Sequence, residues 1–224
     1  MNKKFVVAAL AGVALSAHAT DAPLTTEAQK FSYTVGVQMG QTLKRDAKDI
    51  DVDLVTRAIK DVIGDKKLQL SQEDMQKTME SFQQKQQQKQ ASAAEKNEKV
   101  GAEYLAANKK KEGVIETASG LQYKVLKAGS GDKAKATDSV VVHYKGTLIN
   151  GTEFDSSYKR NEPTSFRVNQ VIQGWQEALQ LMNPGAKYQL AIPGKLAYGP
   201  RGAGGQIGPN ETLLFDVELL EIKK

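Results

Sequence analysis

The chain changes character abruptly near residue 113, and this change limits the available folds more than any other feature. Residues 20–112 are rich in Gln, Lys, Glu and Ala and contain no proline after Pro23. Residues 113–224 contain five of the six prolines, most of the glycines and alternating apolar residues. Helix formers dominate the first stretch, whereas turn residues between short apolar runs are typical of antiparallel sheet. The sequence therefore predicts a helical N-terminal domain at 20–112 and a β-rich domain at 113–224.

Two short amphipathic helices are predicted in the first part of the N-terminal domain. The first follows a threonine N-cap at Thr25 or Thr26, and the second begins at Asp51 or Asp53 and ends at Gly64. Each helix has one apolar face, made by Ala28, Phe31, Val35 and Met39 and by Leu54, Ala58, Val62 and Ile63. Cores of fewer than ~65 residues often need a second chain to complete them. We therefore predict a homodimer that forms through residues 24–82.

A third, long helix is predicted from Ser71 to about Lys111. Asp74 is placed to form an approximate capping box with Ser71. The apolar stripe of this helix is short and consists of Met75, Met79 and Phe82. Beyond the stripe the segment has strong helix formers but little to bury, so a disordered polar linker is the alternative. Gly101 is the weak point of the helix interpretation.

The first residues have the pattern of a secretory signal peptide at 1–19. Lys3 and Lys4 precede an apolar run from Phe5 to Leu15, and Ala17-His18-Ala19 offers a small-x-small cleavage site. A membrane anchor is the alternative, but the run is shorter than the ~20 residues that cross a bilayer. We therefore expect a periplasmic mature protein without a stable membrane span, with outer-membrane or surface association left open.

Charge and residue content exclude several classes of function. Removal of Lys3 and Lys4 with the signal lowers the net charge from +5 to +3, and no dense Lys/Arg patch with interleaved aromatics follows. Nucleic-acid binding is therefore not expected. The chain has no cysteine, and His143 is the one histidine of the expected mature chain. Cys/His metal sites and Cys-His catalysis are thereby excluded, and we expect neither metal nor cofactor.

The second domain is predicted to be an antiparallel sheet packed on one helix. Asn150-Gly151 joins two alternating runs and is a strong hairpin signal. Further strands are predicted in "GLQYKVLKAG", "TSFRV", "KYQLAIP" and "TLLFDVELLEI". The one clear helix spans 174–182, and it has a single place to bury its apolar stripe, the concave face of a twisted sheet. The fold class is therefore α+β, with Trp175 between helix and sheet.

Two sequence features could suggest a phosphate-binding loop or a catalytic triad, but the residues around them support neither. "GPRGAGGQIG", residues 199–208, lacks the Lys-Ser/Thr pair of a phosphate loop, and a strand rather than a helix follows it. Its glycines favour a mobile flap over a pocket. His143 alternates with Tyr144 along a strand and should point away from the face that Tyr144 lines. No nucleophile-elbow pattern exists to complete a Ser-His-Asp triad.

Several segments resemble the FK506-binding-protein family of peptidyl-prolyl isomerases. These segments are "VVHYKGTLINGTEFDSSYKRNEP", "QVIQGWQEALQLM", "LAYGP" and "ETLLFDVELLEI". The N-terminal half, with "LSQEDM" and the long polar helix, resembles the macrophage infectivity potentiator (Mip) group, whose members are secreted or periplasmic dimers. The resemblance implies an FKBP-like sheet, a helical dimerisation domain and isomerase activity on unfolded or exported proline-containing polypeptides. It also implies chaperone activity and binding of macrolides of the FK506 and rapamycin type.

The resemblance also implies a set of site residues. The residues implied for catalysis are Tyr144, Phe154, Asp155, Ile172, Trp175, Tyr198 and Phe215, and those implied for substrate binding are Arg160, Val171 and Ile207. Trp175 would be the pocket floor, with Ile172 N–H and Tyr198 O–H as donors to the substrate. Asp155 would be a polar wall paired with Tyr144 or Arg160. This sequence departs from the usual family pattern at Thr164, Ala203 and Gln206, which affects rim contacts and substrate preference.

The residue types of this sequence also support prolyl isomerisation independently of the family resemblance. Rotation about an X-Pro bond meets a barrier of ~18–20 kcal/mol because amide resonance must be broken. An apolar aromatic cup favours the less dipolar, twisted amide, and neither nucleophile nor metal is required. Trp175 also shares a helix face with Ala178, Leu179 and Met182, so ordinary core packing is an alternative for it. A proline-binding holdase with little turnover, or a working helical domain beside a passive sheet, would also fit.

Overall fold

A computed structural model of the chain describes residues 23–46 and 50–223, without the side chains of Arg45 and Asp46. The predicted signal peptide, residues 1–19, lies outside the described residues. Across the described ranges, none of the helices combines the length and apolar character needed to cross a bilayer.

The chain divides into two compact units, with the division between Leu68 and Gln69. The long helix therefore belongs to the same unit as the sheet. Compactness alone does not define a functional domain, so the domains at 20–112 and 113–224 stay a prediction.

The N-terminal unit contains helices α1 (Glu27–Asp46) and α2 (Val52–Ile63). The Thr26 hydroxyl accepts the backbone N–H of Gln29, and the Asp51 carboxylate accepts two N–H groups in the first turn of α2. These caps satisfy donors that have no partner inside the helix. Gly64 ends α2, as predicted. None of the described residues of this unit is buried.

Helix α3 (Gln72–Asn108) has 37 residues and is therefore about 56 Å long. Ser71 accepts the Asp74 N–H at 3.0 Å and donates its hydroxyl hydrogen to the Asp74 carboxylate at 2.7 Å. The helix continues through Gly101, so the alternative of a disordered linker is wrong.

The sheet consists of seven antiparallel strands in the order β1-β2-β6-β7-β3-β4, with β5 paired to β3. The strands are β1 (Val114–Glu116), β2 (Gln122–Lys127), β3 (Ser139–Leu148), β4 (Glu153–Ser156), β5 (Thr164–Arg167), β6 (Lys187–Ile192) and β7 (Leu213–Lys223). The predicted hairpin joins β3 and β4, and Gly151 has the positive φ of 85° that its turn requires. Strand β1 was not predicted.

Helix α4 (Gln173–Leu181) is the predicted short helix of the C-terminal unit. Its buried residues Trp175, Ala178 and Leu179 join one apolar core with alternate residues of the longest strands. Val217 and Leu219 of β7 are examples, each at most 1% exposed. The predicted α+β architecture of one short helix on an antiparallel sheet is confirmed.

Candidate functional site

One open cavity of about 360 Å³ lies between α4, the core face of the sheet and the segments that follow β5 and β6. Its lining residues are Tyr144, Phe154, Asp155, Phe166, Gln170, Val171, Ile172, Trp175, Tyr198 and Phe215. Apolar and aromatic side chains predominate, with a small number of polar groups. This composition is typical of a small-molecule or peptide pocket.

Trp175 contributes the flat base of this pocket. Ile172 is the N-cap of α4 and its carbonyl accepts the Trp175 N–H at 2.9 Å, so the indole belongs to the first helical turn. The indole meets Tyr144, Phe166 and Phe215 nearly edge-on, with centroid distances of 5.3, 5.8 and 5.2 Å. Such edge-to-face contacts are favourable and hold the ring in one orientation.

The Trp175 side chain is 4% exposed, and its Nε1–H has no hydrogen-bond acceptor. The indole therefore both belongs to the core and lines an open cavity, and core packing alone does not describe its position.

Gly146 of β3 allows two aromatic rings to lie directly on the sheet. A Cβ at this position would lie 2.6 Å from the Phe154 ring and 2.7 Å from the Phe215 ring. Any side chain here would displace both rings. The edge-to-face pair Phe154–Phe215, with centroids 5.5 Å apart, thus depends on this glycine.

A network of polar groups forms one wall of the pocket. The Tyr144 hydroxyl donates to Asp155 Oδ2 at 2.5 Å, and Arg160 Nη1 donates to Asp155 Oδ1 at 2.5 Å. Arg160 Nη2 also donates to the Tyr144 hydroxyl at 2.9 Å and to Thr164 Oγ1 at 3.3 Å. Asp155 therefore contacts both of its predicted partners, and three side chains fix one another in position.

The pKa values of this wall follow from burial and charge. Burial alone would raise the pKa of Asp155, but hydrogen bonds from Tyr144 and Arg160 and the charge of Arg160 hold it below the ordinary value. Burial, followed by the hydrogen bond to Asp155, raises the pKa of Tyr144. Burial and the charge of Asp155 likewise raise the pKa of Tyr198. At neutral pH the wall therefore holds one carboxylate beside two neutral phenols.

Ser157 anchors this wall to the sheet and was missed by the sequence reasoning. Its side chain is fully buried, and its hydroxyl accepts the Tyr144 N–H at 2.8 Å. His143 Nδ1 lies 3.0 Å from the same hydroxyl, and the His143 ring stacks on Tyr158. His143 thus lies beside the pocket wall without lining the cavity, in line with its predicted alternation with Tyr144.

The structure brings most of the predicted site residues together, with two exceptions. Arg160 lines a neighbouring polar cleft instead of this cavity, and it holds Asp155 and Tyr144 by hydrogen bonds. Ile207 is 9% exposed and belongs to the apolar core next to the site. Phe166 and Gln170 line the cavity but were not predicted. The alternation of "TSFRV" places Phe166 on the same face as Thr164 and could have indicated it.

The three departures from the family pattern lie around the rim. Thr164 accepts a hydrogen bond from Arg160. Ala203 exchanges two backbone hydrogen bonds with Ile207, at 2.9 and 3.0 Å. Gln206 borders a neighbouring polar cleft of about 300 Å³, together with Glu153 and Lys159. None of them is among the residues that line the aromatic cavity.

The arrangement suits a reaction that makes and breaks no covalent bond. Among the described residues, no group of three or more His, Asp or Glu side chains is placed to hold a metal ion. Ile172 opens a helix, where the first backbone N–H groups have no acceptor within the helix. The pocket thus combines an aromatic base, a fixed carboxylate and backbone donors at one edge.

Two family models match the chain. The model for FKBP-type peptidyl-prolyl cis-trans isomerase matches residues 130–220. The model for the domain amino terminal to FKBP-type peptidyl-prolyl isomerase matches residues 28–125.

Relatives match over almost the full length. The chain is 44% identical to the outer membrane protein MIP of Legionella longbeachae, across 100% of this chain and 99% of that protein. It is 45% identical to the peptidyl-prolyl cis-trans isomerase Mip of Coxiella burnetii, across 93% and 92%. The crystal structure of FkpA from Escherichia coli has a TM-score of 0.64 at 40% identity and covers 90% of this chain and 99% of its own.

Proposed function

Because the chain belongs to the FKBP-type peptidyl-prolyl cis-trans isomerase family, in its Mip- and FkpA-like branch, we propose that the aromatic pocket is its active site. The chain is an FKBP-type peptidyl-prolyl isomerase, and the proposal concerns the residues that carry the reaction. The observation that supports it is Trp175 at the base of an open aromatic cavity.

In this proposal the substrate proline ring lies on the Trp175 indole, between Tyr144, Phe154 and Phe215. The planar amide is strongly dipolar, whereas the half-rotated amide has lost resonance and much of its dipole. Moving the bond from water into an apolar cup therefore disfavours the planar state more than the twisted one. Only such a difference between ground state and transition state accelerates the reaction.

The polar groups orient the peptide. Ile172 N–H would donate to a substrate carbonyl, and the Tyr198 hydroxyl is a second donor at the rim. Asp155 provides a fixed negative charge beside the rotating amide, with Arg160 and Tyr144 holding its carboxylate in place. Val171 contacts the substrate next to Ile172, while Ile207 supports the rim from the core side.

Replacement of the pocket base tests this assignment. Trp175→Leu and Asp155→Ala should each lower kcat/KM for a short X-Pro peptide by about tenfold, since each removes an interaction that stabilises the transition state. Tyr123→Leu is the matched control, because Tyr123 stacks on Tyr188 at 5.4 Å outside the cavity lining. Wild-type turnover in a folded Trp175→Leu protein would overturn the assignment. Binding of proline peptides without acceleration would favour a holdase.

The exposed apolar residues of the first helices support a homodimer through residues 24–82. Phe31 is 72% exposed in α1, Ile63 is 79% exposed in α2, and Phe82 is 47% exposed in α3. An amphipathic helix whose apolar side chains stay exposed needs a partner surface to cover them. Two pockets in one dimer would hold an unfolded client at two points and gain avidity, which is the basis of the proposed chaperone activity.

Charge substitution on these helices tests the dimer. The double variant Phe31→Glu/Ile63→Glu should have half the molecular mass of the wild type by light scattering and should assist protein refolding less well. Its turnover of a short peptide should stay unchanged, because the pocket lies in the other unit. Ile115→Glu is the control, since Ile115 is 49% exposed on the edge strand β1. A monomeric wild type, or a double variant that stays dimeric, would contradict the interface.

We place the mature protein in the cell envelope, after removal of residues 1–19. One relative is named an outer membrane protein, which supports this location. We also propose that the mature protein consists of a helical domain at 20–112 and an isomerase domain at 113–224. N-terminal sequencing of protein from a periplasmic extract should begin at Thr20, and recovery in the cytosolic fraction with Met1 intact would contradict the location.

A further inference from the structure

Helix α3 packs against the segment that leads into β7 through its own backbone at Gly101. This glycine is the one buried residue of the helix, and a Cβ here would lie 2.4 Å from Thr212 Oγ1. Thr212 is 2% exposed and directly precedes β7. The glycine that the sequence marks as a weak point of the helix therefore allows the helix to lie directly against Thr212.

One turn before Gly101, Asn97 reaches the loop at the pocket rim. We define the rim loop as residues 202–210, between the short turn of helix after Tyr198 and the start of β7. Asn97 Nδ2 donates to the Pro209 carbonyl at 2.9 Å. The same nitrogen is 3.0 Å from the position that a Cβ on Gly208 would occupy. The side chain of a helix residue thus lies directly on the base of the loop.

The rim loop connects the Asn97 contact to residues of the pocket. Asn210, next to Pro209, donates its N–H to the Gly199 carbonyl at 2.8 Å, and Gly199 follows Tyr198. Tyr198 lines the cavity, and Ile207 in the same loop belongs to the core beside it. One hydrogen bond from the helix to the loop and one from the loop to Gly199 therefore connect Asn97 to the rim of the site.

We infer that Asn97 is a positioning residue for the isomerase pocket, and that it acts by fixing the rim loop against helix α3. This inference rests on the proposed active site. The loop contains four glycines, Gly202, Gly204, Gly205 and Gly208, and ordering glycine-rich backbone is entropically costly. A bond to a rigid helix orders the base of the loop before a substrate binds, so that the peptide does not bear that cost.

The test uses the full-length chain with two substitutions at one position. Asn97→Ala removes the amide, and Asn97→Asp keeps its size but places a carboxylate opposite the Pro209 carbonyl. Each should raise KM for an X-Pro peptide about fivefold, the factor that one net hydrogen bond supports, while kcat changes less than twofold. Amide hydrogen exchange should become faster in residues 203–210 and stay unchanged in α4.

Asn108→Ala is the matched control. Asn108 lies on the same helix and donates to Gln122 Oε1 at 3.0 Å, which attaches α3 to β2 rather than to the rim loop. It should leave KM and exchange in the rim loop at wild-type values. Wild-type KM and loop exchange in both Asn97 variants would overturn the inference, as would an equal KM increase in Asn108→Ala. If Trp175→Leu retains full turnover while the Asn97 variants speed loop exchange, the active-site proposal fails and the attachment of the loop stands.

Discussion

The two compact units differ in how completely each buries its own apolar residues. Among the described residues of the N-terminal unit none is buried, and α2 leaves Val62 and Ile63 61% and 79% exposed. Helix α4 is shorter, with nine residues against twelve, yet Trp175 and Leu179 are almost fully buried. Both helices are amphipathic, so an apolar stripe predicts a helix but does not tell whether the same chain supplies the surface that covers it.

The same difference separates two ways of stabilising a fold. The C-terminal unit has a core that its own sheet closes, and its stability should be independent of protein concentration. The N-terminal helices have good caps, but isolated helices of this length are marginal in water without packing. Their stability should therefore depend on a second chain and on its concentration.

The largest expected effect comes from the same substitution made in each unit. Leu179→Ala should lower the free energy of unfolding by about 3 kcal/mol, because it leaves a cavity in a closed core. Leu179 is 1% exposed, whereas Leu54 in α2 is 51% exposed. Leu54→Ala should change stability by less than ~0.5 kcal/mol in dilute protein and by more as the concentration rises. Urea unfolding at two protein concentrations measures both.

An equal, concentration-independent loss in both leucine variants would contradict the comparison. It would mean that α2 is packed by its own chain in solution.

The elements that local signals define could be predicted from the sequence. Asp51 and Ser71 begin their helices as caps, and Asn150-Gly151 lies in the hairpin that the pair predicted. Strand β1 could not be predicted, because three residues carry no period. It is a strand because Ile115 pairs with Tyr123 of β2, a relation that appears only in the folded chain.

The residues of the candidate site also divide into those that local sequence motifs predict and those that they do not. Its aromatic base lies in motifs that the sequence displays, and the structure gathers those side chains around Trp175. Phe166 enters because β5 pairs with β3, and Ser157 matters through hydrogen bonds to the backbone of Tyr144. Gly101 was interpreted as a helix weakness because its contact, Thr212, lies far along the chain. The roles of Phe166, Ser157 and Gly101 depend on contacts with residues distant in the sequence. A local sequence pattern carries no information about such contacts.

A second test of the difference between the two units replaces one helix glycine in each unit by alanine. Gly101→Ala should lower the free energy of unfolding by about 2 kcal/mol, because the new Cβ would lie 2.4 Å from Thr212 Oγ1. At Gly36 in α1, such a Cβ would have no atom within 4 Å apart from its chain neighbours and the backbone of its own helix. Gly36→Ala should therefore stabilise its helix by ~0.5–1 kcal/mol. Thermal unfolding of both variants should show a lower melting temperature for Gly101→Ala and a higher one for Gly36→Ala.

The double variant Gly101→Ala/Thr212→Ala is the control for the contact itself. It should recover part of the loss, because the clashing hydroxyl is gone. Destabilisation by Gly36→Ala would contradict the prediction and would indicate that another surface covers that face of α1.

The smallest expected effect compares one carboxylate in each unit. Asp155→Asn should cost about 1 kcal/mol, because it weakens a hydrogen-bonded network whose side chains are still partly solvated. Asp61 lies 3.5 Å from Lys66 in a looser pair, and Asp61→Asn should cost less than ~0.5 kcal/mol.

The pH dependence of Asp155 distinguishes this network from an ordinary surface pair. Its pKa in the folded state lies below its ordinary value of 3.8, so the charged form is favoured by folding. The stability difference between wild type and Asp155→Asn should therefore be complete above about pH 4 and should disappear as the pH falls through the folded-state pKa. Urea unfolding between pH 2.5 and 7 should give this curve, with wild type and variant converging in acid. A difference that persists unchanged to the lowest pH would mean that packing around Asp155, rather than its charge, stabilises this wall of the pocket.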